Sequence, residues 1–200
     1  MTYQELINNI RDLGFSDDEE MAEFAESGLL YTAINRSITR INLEVSPILE
    51  KYEFDIGDED TGFLYLNLTD IDDMFLDFAE IPVLVKRNDK DLYQKFADYD
   101  IETENTLVIN ADENKGSFRV FYKVQHDDFK GTAAQLREDL PLQLKVHHIV
   151  PLLAAYYVWL EDDPTKAAQY YNGWDEAKNK LELDKQNKVR MRVVTEWGGI

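Results

Sequence analysis

The run Ile149–Leu160, IVPLLAAYYVWL, constrains the fold more than any other stretch of this sequence. A helix that is apolar on every side must be covered on every side. At about 1.5 Å of rise per residue the run reaches roughly 18 Å, whereas a bilayer span takes about 20 residues, so it reads as a covered helix and no membrane anchor is expected. Its cover is either the rest of a packed bundle or neighbouring subunits. Asp162, Asp163 and Pro164 follow as a short turn. The carboxylates can accept from the first orphan amides of the next helix, and Pro164 suits the first helical position, where no donor is needed. Ala167, Tyr170, Tyr171, Trp174, Ala177 and Leu181 then recur three or four apart as one apolar stripe. So short a connection predicts an antiparallel helical hairpin within Leu140–Lys188.

Upstream, Tyr3, Leu6, Ile7 and Ile10 line one side of a short helix between Thr2 and Leu13, with Gly14 as its stop. Ser16 and Glu19 form a capping-box pattern ahead of Met21, Phe24 and Ala25, which predicts a second short helix ending near Gly28. From Leu29, the residues Leu30, Ile34, Ile38, Ile41, Val45, Ile48 and Tyr52 keep helical spacing, while Asn35, Arg36, Arg40 and Glu44 fall off the stripe. The expectation is one long amphipathic helix reaching Tyr52 and bent at Pro47.

The texture then changes. Asp55–Gly62 is an acidic loop punctuated by glycine, and Phe63–Leu68 alternates like a strand. Thr69–Phe78 fits either helical spacing or irregular structure, Pro82–Lys86 reads as a strand, and Leu92–Tyr99 suits either type. Thr106–Asn110 and Ser117–Val124 are β-branched and aromatic, joined by the polar segment Ala111–Gly116. They predict a β-hairpin with Phe118, Val120 and Tyr122 on one face, and residues 125–139 a polar connection back to the helices. The fold class expected is therefore α+β, mainly α. A helical bundle (residues 1–54 and 131–189) carries a β-rich insertion (55–130) and ends in a C-terminal arm (190–200). The arm is basic and apolar, with Arg190, Arg192, Val193, Val194 and Trp197. Trp and Arg are enriched at interface hot spots, so the arm suits ordering on a partner.

Composition narrows the chemistry. A hydrophobic share of 44% with 11 Tyr and 10 Phe supports a real core. The chain has no cysteine, which removes disulfides, thiolate metal sites and cysteine nucleophiles together. No charged-then-apolar leader stands at the start, so synthesis in a cytoplasm is expected. The net charge of -19 disfavours direct binding to duplex DNA, where affinity rests on cations displacing counterions. The charge is polarised: residues 178–192 carry Lys178, Lys180, Lys185, Lys188, Arg190 and Arg192 against only Glu182 and Asp184. His147 and His148 are adjacent, so on a helix they point about 100° apart and cannot chelate one ion together. Solvent-facing or capping roles are expected for both. Asp58–Asp60 and Asp70–Asp73 lack the ligand ladder and terminal Glu of a calcium loop. No nucleophile elbow, phosphate loop or dinucleotide fingerprint is present, so neither catalysis nor a cofactor or metal is expected.

Three segments together carry a likeness. Ala33–Ile41 (AINRSITRI) in a helical N-terminal part, Gly116–Tyr122 (GSFRVFY) ending a β insertion, and Val150–Tyr171 (VPLLAAYYVWLEDDPTKAAQYY) resemble the head-to-tail connector, or adaptor, proteins of tailed bacteriophages. The resemblance spans most of the chain and is strongest over residues 116–176. It implies a ring, usually of twelve copies, seated beneath the portal protein at the virion neck, touching tail or neck proteins and passing genomic DNA through its bore without binding it specifically. Carried to this sequence, Arg190, Arg192, Val193, Val194 and Trp197 become portal contacts. Leu152, Tyr156, Trp159, Tyr170 and Trp174, on the helical hairpin, become subunit-packing residues of the ring wall. A strongly acidic chain suits a conduit along which DNA must slide. Two rival readings stand beside it: an acidic DNA mimic that inhibits a DNA-binding enzyme, and a hydrolase using paired carboxylates with a divalent metal.

Overall fold

A computed structural model of the chain describes residues 1–14, 28–79, 83–88, 90 and 92–197, with the backbone alone for 185–197. The fold is mixed α+β, with N-terminal helices, two antiparallel sheets in the middle and C-terminal helices; helix takes about 43% and strand about 27%. Two compact units divide it: Met1–Ser46 with Asp127–Ile200, and Pro47–His126.

The helical unit opens with α1 (Tyr3–Gly14), which starts on a reciprocal cap: the Glu5 amide donates to Thr2 Oγ1 at 3.2 Å and the Thr2 amide to a Glu5 carboxylate oxygen at 2.9 Å. The short helix expected between Ser16 and Gly28 lies outside the described residues. Helix α2 (Leu29–Glu44) buries Leu30, Ile34, Ile38 and Ile41 as its spacing predicts, but it stops earlier than expected. The amides of Val45 and Ser46 both donate to the Ile41 carbonyl at 2.9 Å, and the chain leaves the helix there. A residue before proline is pushed out of the helical region, so Ser46 ahead of Pro47 ends the helix instead of bending it. Ile48 and Tyr52 kept the helical spacing by coincidence. They belong to the sheet unit and pack partly buried against its core.

Helix α3 (Val150–Trp159) is the apolar run, led in by a 3-10 segment at Leu144–Ile149. It packs on α1, α2 and α4 (Pro164–Trp197), so its own chain supplies most of the cover and leaves Leu152, Tyr156 and Tyr157 half-buried. The turn before α4 is capped as predicted, with the amides of Thr165 and Lys166 donating to Asp163 Oδ1 at 3.1 and 3.0 Å. The α4 backbone continues as helix through Trp197, so residues 190–197 of the expected arm extend this helix.

In the sheet unit, β8 (Gly116–Val124) is the central strand of the larger sheet. Strand β1 (Leu49–Ile56) pairs along its whole length on one side, while β3 (Phe75–Phe78) and β4 (Leu84–Arg87) share the other, with β5 (Tyr93–Lys95) beyond β4. A second sheet has the order β2 (Phe63–Asn67), β7 (Thr106–Asn110), β6 (Asp100–Thr103). A single turn of helix, Leu68–Ile71, and β3 occupy the stretch whose spacing was ambiguous. Both sheets face one core, in which Leu107 and Ile109 of β7 join Phe118, Val120 and Tyr122 of β8.

That arrangement overturns the expected hairpin. Strands β7 and β8 both form, but they pair in different sheets. Packed sheets lie about 10 Å apart, a gap that residues 111–115 can cross, so a connection short enough for a hairpin also serves to pass from one sheet to the other. The crossing is anchored: Asn114 is buried and donates to Asp98 Oδ2 at 2.8 Å, and the Lys115 ammonium donates to the carbonyls of Gly57 and Asp60.

Candidate functional site

Helices α2, α3 and α4 bring a cluster of cations and aromatic rings to one seam of the helical unit. Arg36 and Arg40, four residues apart on α2, fall on one face of that helix. The Arg36 guanidinium lies 5.5 Å from the centre of the Tyr157 ring. Arg40 lies 4.6 Å from the centre of Trp174 and 5.6 Å from that of Tyr171, and its Nε pairs with Glu44 Oε1 at 2.9 Å. Lys178 completes the set, 5.1 Å from the Trp174 ring centre, with its ammonium 2.9 Å from the other Glu44 oxygen. The rings touch one another in a row: Tyr157 to Tyr156 at 4.9 Å, Tyr156 to Tyr171 at 5.1 Å, and Tyr171 to Trp174 at 5.3 Å.

The electrostatics follow from this packing. Burial alone would lower the Arg40 pKa, and hydrogen bonds to Tyr157, Glu44 and Tyr171 outweigh it and raise the value. Burial pushes the Glu44 carboxyl up, but hydrogen bonds from Lys178 and Arg40 carry it below the ordinary carboxylate value. Trp174 is fully buried, and its indole N–H has no acceptor among the described residues. Its neighbours stack cations on its faces, which holds the ring by cation–π attraction.

The five residues assigned to subunit packing divide. Trp174 and Trp159 are buried inside their own chain, Trp159 with the Lys166 ammonium 3.3 Å from its ring centre. Gly14 approaches Trp159 so closely that a Cβ there would sit 2.7 Å from the indole nitrogen. Tyr170 donates its hydroxyl to the Leu13 carbonyl while Lys166 donates to that of Gly14, so both close the C-terminal end of α1. Burial raises the Tyr170 pKa. Leu152 and Tyr156 remain half-buried at the surface of the hairpin. The side chains of Arg190, Arg192, Val193, Val194 and Trp197 lie outside the described residues.

His147 corrects the expectation of a solvent-facing or capping ring. It is buried, with Nε2 2.8 Å from the Leu142 carbonyl and Nδ1 3.1 Å from the Met1 amino group, whereas His148 is exposed. The acidic clusters serve turns: Asp60 accepts from the Gly57 amide at 2.7 Å and Asp72 from the Met74 amide at 2.9 Å. Among the described residues no three His, Asp or Glu side chains are placed to hold a metal, and no helix is long and apolar enough to cross a membrane.

Sequence spacing does not mark Arg36, Arg40, Tyr157 and Lys178 as site residues, because the off-stripe side of α2 looks like an ordinary solvated face. The usable signal was the Arg36–Arg40 spacing set against the tyrosine pair at 156–157. Arg and Tyr held rigidly on helices are suited to recognition, since little side-chain entropy remains to be lost on binding. Neither a family model nor a curated protein matches this chain.

Proposed function

We propose that this protein is a structural component of a tailed-phage virion, forming a ring at the head-to-tail junction that docks on the portal protein and gives DNA an acidic passage from capsid to tail. The resemblance over residues 116–176 suggests the reading, and the observation that carries it is the reach of α4. This helix buries Ala167 and Trp174 against the bundle, yet every residue from Asp175 to Asp184 is exposed or half-buried, and Leu183 is 57% exposed. From Lys178 onward the helix is also the basic end of an acidic chain. A helix that outruns its own core and carries charge opposite to the rest of the molecule is suited to insert into a partner.

In this reading the segment containing Arg190, Arg192, Val193, Val194 and Trp197 is the docking arm. Because most of α3 is covered within its own chain, contacts between copies fall on what it leaves at the surface, Leu152 and Tyr156, and on the Arg36–Arg40 seam. The assembly needs no cofactor and performs no catalysis. Native mass measurement of the full chain mixed with assembled portal rings tests it: one ring of copies, twelve in the closed form, bound to each portal supports the proposal, and a chain that stays single beside the portal refutes it.

A further inference from the structure

The three-stranded sheet presents a surface whose character is opposite to that of the seam. Its strands β2, β6 and β7 fall within two stretches, residues 52–85 and 96–114, that contain no Lys or Arg. Leu107 and Ile109 point into the core, so Val108 faces outward. Val108 pairs with Tyr65 on one side and Asp100 on the other, which sets those three on the outer face, with Phe63 two residues from Tyr65 along β2. Phe63 is 63% and Tyr65 57% exposed, and all of β6, Asp100 and Glu102 included, is exposed. Two large exposed rings beside carboxylates, with no cation in the sheet, form an apolar and acidic face.

The seam on the helical unit offers the counterpart: exposed Arg36, half-buried Arg40 and Lys178 with exposed Glu44 paired to both, and the half-buried rings of Tyr156, Tyr157 and Tyr171, so that Arg36 is the cation open to a partner's carboxylate. Glu161 and Asp162 line the hollow beside Arg36 and bound the seam on that side. We propose that these two surfaces meet between copies: the outer face of β2–β7–β6 of one chain seats on the arginine–tyrosine seam of the next. The occupant is a second copy because one chain carries both complementary faces, and two different faces joining head to tail can propagate around a closed ring. The proposal deepens the ring reading and rests on it. One such sheet face covers roughly 200–300 Å². A stable pair needs about 800 Å² per partner, so a single contact is weak and gains from closure and from the portal.

A weak contact is best read by trapping it, and the absence of cysteine permits this directly. Thr32→Cys, one turn before Arg36, and Thr103→Cys, on β6, are placed in separate full-length chains of distinguishable mass, mixed on portal rings, and treated with a short bis-maleimide. The expected product is a dimer joining one Thr32→Cys chain to one Thr103→Cys chain, with little product from either variant alone. Arg36→Glu in the first chain lowers the yield about tenfold, and Asp100→Lys in the second restores it. Failure of the mixed dimer to exceed the single-variant products, or indifference of its yield to both charge changes, overturns the seam contact. A ring that forms on the portal without the mixed cross-link overturns this contact alone and leaves the ring reading standing. A chain that stays single on the portal overturns both.

Discussion

Asn35 closes both main-chain hydrogen bonds of Phe129, accepting from its amide at 2.9 Å and donating to its carbonyl at 3.1 Å. This one side chain of α2 fixes a segment that has no secondary structure of its own. It thereby delivers the Phe129 ring into a stack with Tyr3 at 4.2 Å and an edge contact with Tyr31 at 5.3 Å. Asn35→Ala leaves two main-chain groups without their partner and is expected to cost about 2 kcal/mol. Phe129→Ala empties a fully packed site and should cost about 3–5 kcal/mol. All three tryptophans, Trp159, Trp174 and Trp197, belong to the helical unit, so urea unfolding followed by tryptophan fluorescence reads these losses.

Two glycines should respond to alanine with opposite signs. Gly131 has φ of +71°, and a Cβ there would run into the Tyr31 ring. Gly131→Ala is therefore expected to destabilise the helical unit by about 2 kcal/mol or more. Gly173 lies inside α4, and a Cβ there would meet Leu152 at 3.8 Å, an ordinary contact. Gly173→Ala should stabilise by about 0.5–1 kcal/mol through helix propensity. The same fluorescence titration compares the pair.

Glu44 ties the stability of the seam to pH. Burial raises its pKa, but the hydrogen bonds from Lys178 and Arg40 bring it below the ordinary 4.5. A carboxyl whose folded value lies below its unfolded value contributes stability that is fully present above the unfolded value. That stability fades as pH falls through the folded one. Glu44→Gln should thus be less stable than the parent at pH 7, with the gap closing below about pH 4.5. Unfolding midpoints measured from pH 7 to pH 3 follow this, and a gap independent of pH would contradict it.

Strand β8 is the spine of the sheet unit, and Phe118 is fully buried at its middle, stacked on Phe54 at 5.5 Å and edge-on to Phe96 at 5.2 Å. Phe118→Ala is expected to cost about 3–5 kcal/mol. Hydrogen exchange should report the loss as faster exchange along β1 and β8, the two strands paired over their full length.

The helices were legible in the sequence where a stripe and a cap coincided. Thr2 with Glu5, the turn at Asp163 and Pro164, and the apolar run at 149–160 all appear where their chemistry requires. Two misreadings share one cause, which is that spacing does not reveal pairing. Ile48 and Tyr52 continue a helical rhythm while facing a sheet, and β7 and β8 are adjacent strands whose partners lie elsewhere in the chain. Phe129 carries no signal in the sequence because it stands alone in a polar segment. Its burial depends on Asn35, nearly a hundred positions away. The seam was hidden for a related reason: Arg36, Arg40 and Lys178 become a surface only once α2 and α4 flank α3.

The central claim, a ring seated on a portal, is tested most directly by imaging full-length chains bound to purified portal rings. A closed ring coaxial with the portal, with the end of α4 entering the portal and the bundle outside it, is the result expected. Single copies scattered on the portal, or no bound density when both components are folded and concentrated, would contradict it.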